Sequence, residues 1–180
     1  MSTLAKNTRH KCFISYHHAD EHEVEQFIQT FDHNQDILIA RGIGASMSGD
    51  IIDSNDNDYI MRRIREKYLR DTTVTIVLIG KETWGRKFVD WEIAASLRNT
   101  KLSPASGLLA ITLPSASSYS GKRLPDRLAD NLNGDAGYAR WWKYPSSPAD
   151  LGRLIEIAYT DRIVKAHLRV NSRALRRRNA

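Results

Sequence analysis

The sequence has a single cysteine, Cys12, and no apolar run long enough to cross a membrane. One cysteine cannot form an internal disulfide, so we expect a reducing compartment such as the cytoplasm. The longest apolar runs, Thr75–Ile79 and Leu108–Leu113, are far shorter than the ~18 residues of a membrane span. The polar segment Met1–Lys11 lacks the apolar centre of a signal peptide. These absences predict a soluble cytoplasmic protein with no membrane partner.

Basic residues are unevenly distributed along the chain. The formal net charge is +6, but seven Lys and Arg against one acid lie from Asp161 onward. The first 160 residues are therefore close to neutral, whereas a nucleic-acid-binding domain usually has a basic face across its fold. We expect a basic C-terminal tail in solvent over residues 171–180 and no nucleic-acid partner. An acidic partner or nucleic-acid contact of the tail stays open as an alternative.

The length and composition fit one folded domain. The chain has 180 residues, of which 41% are hydrophobic and 27% charged. A domain of this size buries enough surface for a substantial core. We predict a flexible N-terminus over residues 1–10, one domain over 11–170, and the tail.

Four segments have the composition of buried strands, and they are Lys11–Tyr16, Asp36–Ala40, Thr73–Ile79 and Leu108–Leu113. Apolar residues at helical spacing lie between them. A helix is predicted after Asp20, which can cap it; others are predicted around Tyr59–Leu69, over Phe88–Arg98 and from Pro148. This alternation predicts a flavodoxin-like α/β fold, with a parallel sheet of four to five strands and helices on both faces.

Two stretches of the sequence predict no regular structure. Arg41–Asn57 is expected to be a polar loop that rims a pocket. Residues 114–145 are expected to be irregular around an aromatic cluster, Tyr138–Tyr144. Within that cluster, Trp141 and Trp142 either cover a sheet edge or bind a ligand. In parallel sheets ligands bind at the carboxyl ends of strands, so the loops after Tyr16, Ala40 and Ile79 are the ones to search.

The loop after Ala40 contains glycines but lacks the other residues of a phosphate-binding loop. The stretch Gly42–Asp50 resembles a Walker loop, but Asp50 and Ile51 stand where Lys and Ser or Thr are needed. The dinucleotide fingerprint fails because Met47 occupies its third glycine position.

Metal binding and phosphotransfer are not expected either. His18 and His22 have ligand spacing, but no further Cys or His pair completes a tetrahedral set. The third predicted strand ends at Ile79, Gly80 and Lys81, with no Asp that could accept a phosphoryl group.

Two segments next to predicted strand ends remain. They are Cys12–Asp20 and Trp84–Ile93, and the second comes after the strongest strand. Within it, Phe88 and Glu92 are four residues apart and share a helix face. An aromatic ring one turn before a carboxylate can stack a flat ring. The carboxylate can bind a ribose hydroxyl or stabilise an oxocarbenium-like transition state. Glu92 is therefore the strongest catalytic candidate.

The same segments resemble the TIR (Toll/interleukin-1 receptor) domain family. Its first strand typically reads Phe, Ile or Leu, Ser, and Tyr or Phe, followed by a polar stretch and Asp; Phe13–Tyr16 and Asp20 match. Its third helix carries an aromatic residue, usually Trp, four positions before a Glu; Phe88 and Glu92 match, with Phe for Trp. The segment Val74–Trp84 is most similar to a divergent bacterial branch that includes the TIR-like sensor subunit of the Thoeris anti-phage system. The resemblance covers about residues 10–115.

This resemblance implies an activity and residue roles. Enzymatic TIR domains cleave the nicotinamide–ribose bond of NAD, which is a substrate and not a cofactor, and several rejoin the ADP-ribose as a cyclic signal. Glu92 would be the catalytic acid that holds the nicotinamide-side ribose. The residues implied to bind the substrate are Phe13, Ser15, Tyr16, His17, Trp84, Phe88 and Trp91. Self-association, with Arg41–Asn57 completing a neighbour's site, and an effector that senses the product are also implied.

Other interpretations of the same residues stay open. Glu92 can be a solvated helix residue, and Phe13, Phe88 and Trp91 can be plain core. The replacement of Trp by Phe at residue 88 keeps stacking but loses an N–H donor. The chain can also be a non-catalytic TIR-like module that self-associates or docks a partner.

Overall fold

The computed structural model describes residues 9–33, 38–41 and 47–180. Its sheet has five strands, β1 (His10–Ser15), β2 (Leu38–Arg41), β3 (Val74–Ile79), β4 (Gly107–Thr112) and β5 (Arg140–Trp142). The strand order is β2-β1-β3-β4-β5, and every neighbouring pair is parallel. The predicted parallel α/β fold is therefore confirmed. Residues 36 and 37 of the predicted second strand lie outside the described residues.

Six α-helices in the described ranges connect and cover these strands. They are α1 (Glu21–Ile28), α2 (Gly49–Ile52), α3 (Asn57–Lys67), α4 (Lys87–Leu97), α5 (Asp126–Ala129) and α6 (Pro148–Val164). The Asp56 carboxylate caps α3 by accepting from the backbone N–H groups of Asp58 and Tyr59. The Ser147 hydroxyl caps α6 by accepting from the Asp150 backbone. None of the helices in the described residues is long and apolar enough to cross a bilayer.

Alternate residues of the central strands pack on opposite faces of the sheet. On one face, Ile14 and Ile76 pack with α1 and α6. On the other face, Val77 and Ala110 pack with α4, and Phe13 packs with α3 and α4. Covering both faces explains why β3 is buried at every position, including its one polar residue, Thr75, whose hydroxyl is hydrogen-bonded to Ser96.

The strand β5 is a correction to the expected irregular stretch over residues 114–145. It has only three residues and lies at the sheet edge beside β4. Trp141 remains 42% exposed, and its indole N–H donates to Thr112 Oγ1 at 2.8 Å. A strand of three residues is too short to show a periodicity in the sequence. It forms because its backbone pairs with β4.

The expected loop Arg41–Asn57 is partly helical, because α2 occupies its centre and α3 begins at its end. Asp50 holds the two helices together. Its carboxylate accepts from Ser48 Oγ at 2.6 Å and from the Tyr59 hydroxyl at 2.9 Å. These hydrogen bonds, that of Ser48 first, lower the pKa of Asp50 to about 2. Residues 42–46, which carry the first glycines of the rejected phosphate loop, lie outside the described residues.

The C-terminal segment 171–180 keeps most of its side chains exposed, as a solvated tail would, but it is also anchored to the domain. Leu175 is only 5% exposed and joins the core cluster of α3 and α4. The backbone of Arg176 donates to Asp90 and accepts from the Trp91 indole. At the end of the chain, Ala180 N donates to Gly85 O at 3.0 Å. These apolar and backbone contacts hold the segment against the domain. Its basic composition gives no sign of them in the sequence.

Candidate functional site

Helix α4 presents only a narrow strip to solvent. Eight of its side chains are buried, and the three that are not are Lys87, Phe88 and Glu92. The helix is enclosed by the sheet, by α3 and α5, and by the C-terminal segment. Phe88 and Glu92 are one turn apart, as the sequence predicted, and thus share this accessible strip.

The end of β1 reaches Glu92 directly. The Ser15 hydroxyl donates to Glu92 Oε2 at 2.5 Å, across 77 residues of sequence. Ser15 is fully buried at the carboxyl end of β1, whereas Glu92 is only partly buried. The serine thus fixes one carboxylate oxygen, and the Glu92 residue as a whole keeps a partial exposure on the strip. Predicted site residues from both segments meet at this point.

Burial changes the protonation of this carboxyl group. It raises the pKa of Glu92 to about 8, and the hydrogen bond from Ser15 acts in the opposite direction. Among the described residues no Lys, Arg or His lies within ion-pair distance of Glu92. A carboxyl group whose pKa is strongly raised, and whose specific partner lies at the carboxyl end of a strand, is a candidate for a functional site.

Aromatic rings line the strip beside Glu92. The rings of Phe88 and Trp91 meet edge to face, with centroids 5.6 Å apart. The Lys87 ammonium lies 4.9 Å from the Phe88 ring and 5.1 Å from the Trp91 ring. The strip therefore offers a partly exposed ring, a carboxyl group and an ammonium group side by side.

The loops after β1 and β3 carry a second polar cluster at the same edge of the sheet. His17 is 6% exposed, and its Nε2 lies 3.5 Å from Glu82 Oε2. Glu82 also pairs with Arg86 at 2.8 Å. Burial lowers the pKa of His17, and the charges of Arg86 and His18 lower it further. His17 is thus a neutral imidazole at pH 7.

Asp20 joins these two loops and does not cap α1, which corrects the predicted role. Its side chain makes no hydrogen bond to the start of α1. Its carboxylate lies against Gly80, where an added Cβ would meet Asp20 Oδ2 at 2.1 Å. Thr83 Oγ1 contacts the same oxygen at 3.5 Å and accepts from Gly80 N at 2.9 Å. Gly80 is needed because any side chain there would displace the carboxylate.

One comparison identifies the family to which this arrangement belongs. The family described as "Thoeris protein ThsB, TIR-like domain" matches residues 13–118. The match runs from β1 through β4 and includes both Ser15 and Glu92. The chain belongs to this family. The resemblance inferred from the sequence is confirmed, and no curated protein matches the chain.

The predicted substrate-binding residues of this ThsB TIR-like domain differ in position: some lie at the carboxyl edge of the sheet, two are buried in the core, and Trp84 lies apart from both. Ser15 is hydrogen-bonded to Glu92 and Phe88 shares its helix face, whereas His17 lies at the same edge of the sheet beside Glu82. Tyr16 is partly buried against the neighbouring core cluster. Phe13 and Trp91 are 2% and 1% exposed. Their burial favours a packing role beneath the strip.

Trp84 lies elsewhere on the ThsB TIR-like domain. The Arg123 guanidinium stacks over its ring at 3.6 Å. Trp84 also lines a cleft of about 200 Å³ with Asp90, Asp126 and the C-terminal segment. This placement separates it from the accessible strip of α4.

Sequence reasoning missed Lys87 and the role of Asp20. The pair Arg86–Lys87 has the composition of an ordinary solvated helix start, so no signal distinguished Lys87. Asp20 was found as part of the family pattern, but its contact with Gly80 spans 60 residues and has no local signature. Among the described residues, no three His, Cys, Asp or Glu side chains are placed to hold a metal ion.

Proposed function

We propose that this ThsB TIR-like domain is an enzyme of anti-phage defence. It cleaves the nicotinamide–ribose bond of NAD and produces a nucleotide signal, which is ADP-ribose or a cyclised form. The observation that carries the proposal is the Ser15–Glu92 hydrogen bond on the accessible strip of α4, with Phe88 one turn earlier.

The chemistry requires a negative charge beside the ribose. As the bond to nicotinamide breaks, positive charge develops on the ribose, and nicotinamide leaves with the bonding electron pair. A Glu92 carboxylate beside that ribose stabilises the developing charge. The nicotinamide ring of the substrate is cationic, and a cation next to a carboxyl group lowers the pKa of that group. Substrate binding therefore ionises Glu92 when the charge is needed. Water or a ribose hydroxyl then attacks the anomeric carbon and loses a proton.

The other groups on the strip suit the rest of the molecule. Phe88 offers a ring face on which nicotinamide can stack. Lys87 supplies an ammonium group that can contact the diphosphate. His17, neutral at pH 7, can exchange hydrogen bonds with a ribose hydroxyl at the edge of the sheet.

Nicotinamide release from NAD tests this proposal directly. Wild type, Glu92→Gln and the control Glu25→Gln, which alters an exposed carboxylate on α1, are compared at several protein concentrations and under crowding. We expect Glu92→Gln to lose roughly 100-fold or more of the rate, and Glu25→Gln to keep it. If wild type and Glu92→Gln are equally inert under all conditions, the enzyme function is ruled out. Equal measurable rates would exclude Glu92 from the reaction.

A non-catalytic module that self-associates is the second candidate function. Four apolar side chains near the end of α6 favour it, with exposures from 37% to 65%: Ile163, Val164, Leu168 and Val170. Sedimentation velocity of wild type and of Ile163→Ser/Val164→Ser distinguishes the candidates. A concentration-dependent oligomer that the double variant abolishes, without nicotinamide release by either protein, supports the module.

A further inference from the structure

A basic cleft lies at the amino edge of the sheet, the edge opposite Ser15 and Gly80. It has a volume of about 770 Å³. Its floor includes Thr72 and Thr73, which directly precede β3, and Ser103 and Pro104, which precede β4. Its walls come from α3, from the end of α4 and from α6. Ligands of parallel sheets normally bind at the carboxyl edge, so the general rule for this fold does not explain the cleft.

The lining of this amino-edge cleft is strongly positive. It contains five arginines, Arg62, Arg65, Arg70, Arg98 and Arg162, against two acids, Glu66 and Asp71. Glu66 is already paired with an arginine outside the cleft, and Arg98 is paired with Asp58. In the described part of the chain, no carboxylate lies within ion-pair distance of the other four arginines. The cleft thus holds an excess of uncompensated positive charge.

Arg65 places part of that charge in the protein interior. The residue is 8% exposed, and its guanidinium donates to the carbonyls of Ala95 and Ser96 at the end of α4 at 3.0 and 3.3 Å. It also donates to Pro104 O and Ser103 Oγ. These contacts cap α4, but they satisfy its donors with neutral acceptors. Burial lowers the pKa of Arg65 to about 10, with Arg98 adding to the effect, so the guanidinium is still charged at pH 7.

Two buried polar atoms of the lining residues have no hydrogen-bond partner among the residues that the structure describes. They are Thr73 Oγ1 and Arg162 Nε. The Arg162 guanidinium lies over the Tyr159 ring, 4.4 Å from its centroid, which fixes its orientation. Buried polar groups are nearly always satisfied in native proteins, so the Arg162 Nε–H is a donor beside the cleft that can accept a further hydrogen-bond partner.

We infer that the amino-edge cleft binds a small molecule that carries at least two phosphate groups, such as a nucleoside diphosphate. Its volume lies in the usual range for small-ligand sites. Arginine forks match phosphate oxygens in bidentate geometry, and several unpaired arginines suit more than one phosphate. A concave cleft with two acids in its lining fits a compact ligand better than a long nucleic acid, which needs an extended basic face. The cleft is separate from the accessible strip of α4, so this inference does not depend on the proposed NAD cleavage.

Calorimetric titration of the full chain with pyrophosphate and with ADP tests the inference. The test variant is Arg62→Gln/Arg70→Gln, because both side chains are exposed and their loss leaves the core intact. The control is Lys143→Gln/Arg153→Gln, which removes the same charge from residues outside the cleft lining. We expect both ligands to bind wild type and the control, and to bind the test variant at least ~10-fold more weakly, as for the loss of one charged hydrogen bond or more. Circular dichroism verifies that all three proteins are folded.

Three results would overturn the inference. The first is no heat of binding from wild type with either ligand at millimolar concentration. The second is equal weakening in the test and control variants, which would indicate a general effect of net charge. The third is tighter binding of a single-stranded oligonucleotide than of ADP with the same loss in the test variant, which would make the cleft part of a nucleic-acid surface.

Discussion

The Ser15 hydroxyl lies 2.5 Å from Glu92 Oε2 and joins the end of β1 to the middle of α4. Two opposing effects meet in this contact. Burial favours the neutral carboxyl, whereas a donor held at one oxygen favours the carboxylate. Burial is the larger effect, since the pKa of Glu92 is raised to about 8. The hydrogen bond from Ser15 therefore limits the rise in the pKa of Glu92, and it can be removed without altering Glu92 itself.

Replacing Ser15 by Ala should raise the pKa of Glu92 further, because the donor that stabilises the carboxylate is lost. A carbon-13 NMR titration of the glutamate carboxyl resonances measures this shift, with Glu92→Gln assigning the signal. The control Ser117→Ala removes an exposed hydroxyl that donates to the Pro114 carbonyl, far from Glu92 in sequence. It should leave the titration unchanged. A lower or unaltered pKa in Ser15→Ala would show that the hydrogen bond does not act on the ionised form.

The same raised pKa predicts how stability depends on pH. The folded protein retains the Glu92 proton up to about pH 8, whereas an unfolded Glu loses it near 4.5. Between these values the folded state binds more protons, so the contribution of Glu92 to the free energy of unfolding falls as pH rises. It is fully present below about pH 4.5 and falls by at most ~1.4 kcal/mol per pH unit.

Urea unfolding of wild type and Glu92→Gln across this pH window measures that contribution. We expect the advantage of wild type over the variant to shrink from pH 5 to pH 8. A constant difference, or one that grows with pH, would contradict the raised pKa.

The parts of the fold that could be predicted from sequence are those with local signals. The run Thr73–Ile79 indicated a buried central strand, and the four-residue spacing of Phe88 and Glu92 correctly placed both on one face of a helix. The strand end at Ser15 and Tyr16 could also be located. These features depend on short stretches of chain, in which propensity and periodicity are expressed.

The features that could not be predicted depend on partners distant in sequence. The strand Arg140–Trp142 exists because β4 offers an edge to pair with. Asp20 was expected to cap the following helix, but the loop after β3 offers it Gly80 and Thr83. Leu175 lies among basic residues, and nothing in its neighbourhood indicates that α3 and α4 leave a site for it. In each case tertiary contacts override the local preference.

Gly80→Ala should destabilise the domain, because the new Cβ would meet Asp20 Oδ2 at 2.1 Å. Asp20 is a short side chain and can move away only by leaving Thr83. We expect a loss of roughly 1–3 kcal/mol in the free energy of unfolding, as for other overpacked sites. The control Gly49→Ala should be nearly neutral, since its Cβ would lie 4.0 Å from the nearest atom.

A double-mutant cycle identifies Asp20 as the cause. In an Asp20→Ser background the shorter side chain leaves room, so the cost of Gly80→Ala should fall by more than ~0.5 kcal/mol. If the cost is the same in both backgrounds, the clash does not involve Asp20. Urea unfolding of the four proteins gives the coupling energy.

The buried ion pair between Arg127 and Asp90 should hold the C-terminal segment in place. Arg127 Nε donates to Asp90 Oδ1 at 2.9 Å, and the two side chains are 1% and 8% exposed. The same guanidinium donates to the carbonyls of Arg173 and Ala174, and Asp90 accepts from Arg176 N. Arg127→Gln leaves Asp90 buried without a cation and removes the donors that bind the segment. We expect a loss of roughly 3–5 kcal/mol in the free energy of unfolding and faster tryptic cleavage within residues 173–178.

The matched control is Arg173→Gln, which removes the outer ion pair with Asp130 and leaves the inner one intact. Arg173 is 46% exposed as a side chain, so its loss should cost no more than about 1 kcal/mol. Cleavage after residues 176–178 should then remain slow, because the backbone contacts to Arg127 and Asp90 persist. If both variants release the segment equally, surface charge pairing and not the buried pair holds it. If neither does, Leu175 and the Trp91 indole are sufficient to anchor it.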